Sequence, residues 1–143
     1  MRDALGGLVN LVIIVVFIVL VSGYLAFNVN YTKAFRVKNK IITAIESHEN
    51  LDDAAKAEIS NYAKSIGYNI STLNVDFPGN PSSKECYHGY CVAKFNQGDR
   101  KNYYEVVTFV TVDIPIIKKI MPHIEFFQVK GITKSITNKR GNG

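Results

Sequence analysis

The residues best equipped for chemistry are crowded into one short run, Cys86-Tyr87-His88-Gly89-Tyr90-Cys91. With His88-Gly89 as a two-residue hairpin turn, Tyr87 and Tyr90 become a hydrogen-bonded pair. Cys86 and Cys91 then face each other in the next, non-hydrogen-bonded pair, at a separation that suits a disulfide. Closing so small a loop stabilises by only about 2 kcal/mol on the chain-entropy account. Its larger meaning is compartmental, because such bonds persist outside the cytoplasm. The same run also allows two reduced thiols. A metal is the sharper alternative, but zinc asks for four ligands, and His88 is the only nearby imidazole beside the two cysteines. His48 and His123 have no ligand-like spacing.

Other chemistry is thin. The chain has no Gly-x-Ser-x-Gly, HExxH or P-loop pattern, and its one pair of adjacent carboxylates, Asp52-Asp53, is placed to cap a helix. The expectation is therefore a protein that is not an enzyme, with no cofactor, no metal and no small-molecule substrate. Nor does charge indicate a nucleic-acid partner. Seventeen Lys and Arg against twelve Asp and Glu leave +5 over 143 residues. That excess sits in residues 31–40 and 126–143, whereas 41–125 hold eight basic and eleven acidic groups, so no domain-wide basic face arises.

The elements that must position these residues begin with an apolar run. No charged residue occurs from Ala4 to Thr32, and Leu8 to Val29 is almost unbroken Val, Ile, Leu and Phe. About 20 residues of α-helix cross a hydrocarbon core of about 30 Å, and a helix pairs all its backbone amides within one segment. This predicts a membrane-spanning helix in residues 1–30, retained as a single-pass anchor. A cleavable signal ending at Val21-Ser22-Gly23 is the competing reading, opposed by the apolar continuation Tyr24-Leu25-Ala26-Phe27. Within lipid, helices associate through small and polar residues, so Gly6, Gly7, Asn10, Ser22 and Gly23 are the candidate helix–helix contact stripe.

Residues 31–67 read as a helical hairpin. Ala34, Val37, Ile41 and Ile45 recur at helical spacing, and neither Gly nor Pro interrupts Tyr24 to His48, so one helix over 8–48 is expected. Lys33, Arg36, Lys38 and Lys40 are its headgroup-facing cations. A second helix follows, with Asn50 as expected N-cap, an apolar face of Leu51, Ala55, Ile59, Tyr62, Ala63 and Ile66, and Gly67 as stop. Residues 68–137 read as an antiparallel sheet. A first strand carries Ile70, Leu73, Val75 and Phe77; further strands cover Tyr87 to Phe95 and Tyr103 to Val112, the latter central because both its faces are apolar. Pro115 and Pro122 bracket a short amphipathic connector, Glu125 to Ile136 is a last strand interrupted at Gly131, and 138–143 is a flexible tail. The fold class is α+β.

Topology signals oppose one another. The cations after the span, taken alone, place the C-terminal domain in the cytoplasm. The cysteine hairpin and the long rising helix place it outside, and an extracytoplasmic domain is the expectation adopted.

This layout resembles pilin-like proteins, and among them the TadE-like pseudopilins of tight-adherence (type IVc) pilus systems. Three features carry the resemblance: Leu8–Val29 running into Tyr31–His48 as one helix, the cysteine hairpin, and the ending Val110-Thr111-Val112-Asp113-Ile114-Pro115 followed by the Gly131-containing strand. It implies a minor pseudopilin that takes part in assembly of a surface pilus or secretion apparatus, with other pilin-like subunits, a membrane assembly platform and the bilayer as partners. The chain departs from the family where pilins carry a Glu at the fifth mature position. Gly6 or Gly7 could precede a cleavage point, but Leu8 to Val12 hold no Glu, and Asn10 is the nearest polar residue. A membrane-anchored or secreted extracytoplasmic binding or sensor module is the alternative.

Overall fold

One helix, α1 (Arg2–His48), runs through 47 residues without a break, about 70 Å at the α-helical rise. The computed structural model describes residues 2–111, 119 and 126–137. The expected start at Leu8 moves back to Arg2, because Gly6 and Gly7 are tolerated inside the helix. The first half of α1 is bare: Leu8, Phe17, Leu20 and Leu25 all expose more than half their surface. It is the one helix among the described residues long and apolar enough to cross a membrane. The second half is core. Ala34, Val37, Ile41 and Ile45 are fully buried, as the helical spacing predicts, and each of the three larger side chains contributes about 1.5–3 kcal/mol by leaving water.

Helix α2 (Asp53–Ser65) folds back on α1, burying Ala55, Ile59 and Ala63. Its N-cap is Asp52, not Asn50: the Asp52 carboxylate accepts the Ala55 N–H at 2.7 Å. Asn50 does other work. Its Oδ1 accepts from the Leu51 N–H at 2.9 Å and from the Tyr104 hydroxyl at 2.7 Å, tying the interhelical turn to the sheet. The stop at Gly67 is as expected. With φ at +69°, Gly67 lets its own N–H reach Lys64 O and the Tyr68 N–H reach Ala63 O, the paired bonds of a Schellman end.

The sheet is antiparallel, with strands β1 (Ser83–Tyr87), β2 (Tyr90–Gly98), β3 (Lys101–Thr111) and β4 (Phe126–Ile132) in that spatial order. A two-residue β5 (Ile136–Thr137) pairs with the start of β3. Strand β3 is central, as its two apolar faces suggest. The run 87–95 is not one strand: it breaks at His88-Gly89 into β1 and β2. Gly131 does not interrupt the last strand either, since it pairs with Val106 inside the ladder, and the break falls after Ile132. Val112, the Pro115–Pro122 connector apart from Lys119, Glu125 and the 138–143 tail lie outside the described residues.

Residues 68–82 form no strand, contrary to the reading of Ile70, Leu73, Val75 and Phe77. Their ladder contacts are an isolated bridge from Thr72 to His88 and, at the foot of β1, the Ser82 N–H bonded to the Lys94 carbonyl at 2.7 Å. Tyr68, Ile70, Val75 and Phe77 are nonetheless buried, so the segment is a cover laid over one sheet face. Its position follows from contacts: Tyr68 bonds Phe109, the Leu73 carbonyl touches Cys91, and Gly79 lies against Phe95. The opposite face meets α1, where the Thr108 hydroxyl donates to the Ala34 carbonyl at 3.0 Å. The molecule is thus helix, sheet and covering loop in three layers.

Gly131 has a steric reason. A Cβ there would lie 2.8 Å from Ile42 Cδ1 and 2.9 Å from Lys38 Cδ of α1. Replacing Gly131 by Val is predicted to destabilise the detergent-solubilised chain by about 1–3 kcal/mol, read from the urea midpoint at unchanged slope. A midpoint equal to that of the unmodified chain would contradict this close helix–sheet approach.

Candidate functional site

Two regions hold the residues singled out in the sequence: the bare half of α1 with its cationic exit, and the cysteine hairpin. Gly6, Gly7 and Asn10 fall within about 100° of one another around the helix axis. All three are exposed, and a Cβ added at either glycine would meet nothing within 4 Å. Ser22 and Gly23 stand about 120–140° around the axis from Asn10. The expected contact stripe is therefore two patches, a Gly-Gly-Asn patch near the N-terminus and a Ser-Gly patch more than three turns along.

Where α1 enters the folded head, two contacts that sequence reasoning missed fix the junction. Phe27 packs edge-on against Phe127 of β4 with ring centroids 5.7 Å apart. The Asn30 side-chain amide donates to the Thr111 carbonyl at 3.1 Å, across 81 residues of sequence. The single signal for Asn30 is its place as a polar residue closing an apolar run.

The four cations do not act alike. Lys40 pairs with Glu58 of α2 at 2.5 Å, and His48 lies 3.3 Å from the same carboxylate. Lys40 first, then His48, holds the Glu58 carboxyl below its ordinary range. Lys38 sits over the Phe35 ring at 4.2 Å, and its stem lies against Gly131. Lys33 reaches toward Gly67 at the end of α2. Arg36 is exposed.

The cysteine hairpin has the register its spacing implies: Tyr87 opposite Tyr90, and Cys86 opposite Cys91. The two cysteines form a disulfide with Cα atoms 4.1 Å apart. Cys91 is fully buried. The turn depends on Gly89, whose φ is +85° and whose absent Cβ would stand 2.5 Å from the Tyr68 ring. Outside the disulfide, Lys56 of α2 pairs with Glu85 at 3.3 Å and lies over the Tyr87 ring at 5.4 Å, while the Tyr87 hydroxyl donates to Glu85. Those bonds raise the Lys56 ammonium above its usual value, Tyr87 contributing most. They also hold the Glu85 carboxyl low. Among the described residues, no group of three or more His, Cys, Asp or Glu is arranged to hold a metal.

Tyr68 fastens this hairpin to the central strand. Its hydroxyl donates to the Gly89 carbonyl at 2.6 Å and accepts the Phe109 N–H at 3.0 Å, supplying a rung where β2 gives out. Burial pushes the Tyr68 hydroxyl up to about 12, with the Phe109 backbone bond opposing. Nothing in the spacing of Tyr68 distinguished it from the other seven tyrosines.

No protein-family model matches this chain, and neither a curated protein nor a solved structure matches it. The reading of function therefore rests on the geometry itself. Replacing Tyr68 by Phe strands a buried N–H and a buried carbonyl, which costs about 1–3 kcal/mol. Because the folded-state value of Tyr68 is raised, its contribution is complete below the ordinary tyrosine range near 10 and is lost as pH rises toward about 12. Urea titrations of both chains at pH 7 and in the alkaline range are expected to show that gap and its narrowing. Equal stability at pH 7 would refute the role.

Proposed function

We propose that the chain is a non-enzymatic, single-pass membrane protein of pilin-like type, with its sheet domain outside the cytoplasm. In this reading it is a minor subunit in the assembly of a surface filament or secretion apparatus. One observation carries the reading. A single unbroken helix has a first half that is apolar and bare, while its second half is the core against which the sheet is built. Such a helix cannot leave its first half in water without exposing a large apolar surface, so that half requires lipid or other helices. The disulfide supports an oxidising compartment. The Gly6, Gly7 and Asn10 patch supports helix-to-helix contact in lipid, where close backbone approach and a polar anchor replace hydrophobic expulsion.

The partners in this reading are other pilin-like helices and a membrane platform that gathers them. Asn10 takes the place of the acidic residue that pilins use near the mature N-terminus, and the head makes lateral contacts with its neighbours.

A membrane-impermeant thiol reagent applied to intact cells tests sidedness and the disulfide together. Cys86 and Cys91 are expected to react only after reduction, and without lysis. Reaction only after lysis, with no reductant needed, would place the head in the cytoplasm and overturn the proposal. Alongside it, Asn10→Leu is expected to lower the yield of assembled complex several-fold while membrane retention stays intact. An unchanged yield would remove Asn10 from the contact patch.

A further inference from the structure

The cations at the membrane exit are divided by their contacts, and the division singles out two of them. Lys40 is committed to Glu58, and the Lys38 stem to Phe35 and Gly131. Among the described residues, Lys33 and Arg36 make no ion pair. No Asp or Glu occurs between Ala4 and Ile45, so α1 offers them no counter-charge until Glu46. Both cations line a groove of about 470 Å³, whose floor is the helix face Leu25, Asn28, Val29 and Thr32 and whose wall is Ile66 at the end of α2.

The polarity of that groove is graded along the helix. Leu25 and Val29 at one end are more than half exposed and apolar. Thr32 already has its hydroxyl spent on the Asn28 carbonyl at 2.8 Å. Lys33 lies one turn above Val29 and Arg36 about 10 Å above it along the axis. The polar layer of a bilayer is about 5–8 Å thick on each side of its core. If Val29 marks the top of the hydrocarbon, Lys33 stands inside the polar layer and Arg36 just beyond its outer edge, and both long side chains can lean to the phosphate.

We infer that this groove is a binding site for one anionic phospholipid, its phosphodiester held between Lys33 and Arg36 and an acyl chain lying along Leu25 and Val29. The inference rests on the membrane-anchored reading above but not on its pilus role or its sidedness. Charge complementarity selects the ligand. A zwitterionic lipid carries its own cation beside the phosphate and competes with the two side chains, whereas a phosphatidylglycerol-type lipid leaves a net negative charge for them. Each cation close to an anionic lipid is worth about fivefold in occupancy.

The test uses the full chain, with its disulfide intact, in phosphatidylcholine vesicles containing a trace of spin-labelled phosphatidylglycerol or spin-labelled phosphatidylcholine. The relative association constant of the phosphatidylglycerol label, read from the motionally restricted fractions, is expected to be about 25-fold that of the phosphatidylcholine label. That preference is expected to fall by about fivefold in either K33Q or R36Q and to vanish in the double variant. K64Q, which removes an equal charge from α2, is expected to keep it. Equal restriction of both labels, a preference that survives in the double variant, or an equal loss in K64Q would overturn the inference. A chain that inserts stably yet shows no preference defeats this site alone; a chain that alkaline carbonate strips from the vesicles defeats the anchored reading with it.

Discussion

Burial of Ala34, Val37, Ile41 and Ile45 against the sheet is the interaction on which the rest of the structure depends. A helix in water alone gains little from propensity, and most of its stability comes from packing one face. Here the packed face belongs to the same unbroken helix whose first half is apolar all round. The segment is solvated by protein at one end and needs an apolar surrounding at the other, with the change made near Phe27 and Asn30. Phe27 against Phe127, and the Asn30 amide on the Thr111 carbonyl, hold the two regimes in fixed register. Anything that turns the head therefore turns the helix.

The head is organised to keep that grip. Gly131 lets β4 approach α1 closely enough to touch Ile42 and Lys38. Strand β3 is buried on both faces because α1 covers one and the 68–82 segment covers the other. The covering segment contributes little ladder of its own and is pinned by Tyr68, whose hydroxyl completes the backbone bonding beside Gly89. The disulfide then closes the hairpin that Tyr68 holds, and Lys56, Glu85 and Tyr87 link the hairpin's outer strand to α2. Each device is local, but all act on the angle between sheet and helix.

Much of this was legible in residue order, because the signals were periodic or stereochemically strict. The stripe Ala34–Ile45 could be read at helical spacing, and the opposition of Cys86 and Cys91 followed from a two-residue turn at His88-Gly89. The misread parts share a cause. Alternating apolar residues report that one side is buried, not that the backbone has a ladder partner, so Val75 and Phe77 pass for a strand while serving as a cover. The true N-cap lay two residues from the expected one because Asn50 and Asp52 are both capping types, and only the turn after α1 decides between them. Gly131 reads as a break from sequence, yet it is there for a close neighbour 89 positions away, Ile42. The candidate contact residues were legible as residue types, but their division into two patches follows from the helical repeat. The unequal roles of Lys33, Arg36, Lys38 and Lys40 depend on α2 and β4, which no local pattern reveals.

The apolar half of α1 and the head share one rod. Spin labels at Val12 and Thr43, both on exposed positions of α1, measured by pulsed electron resonance with the chain in lipid nanodiscs and Cys86–Cys91 paired, test it most directly. An unbroken helix predicts a narrow distribution centred near about 46 Å from the 1.5 Å rise per residue. A broad or markedly shorter distribution, as a hinge at Ser22-Gly23 would produce, would contradict it.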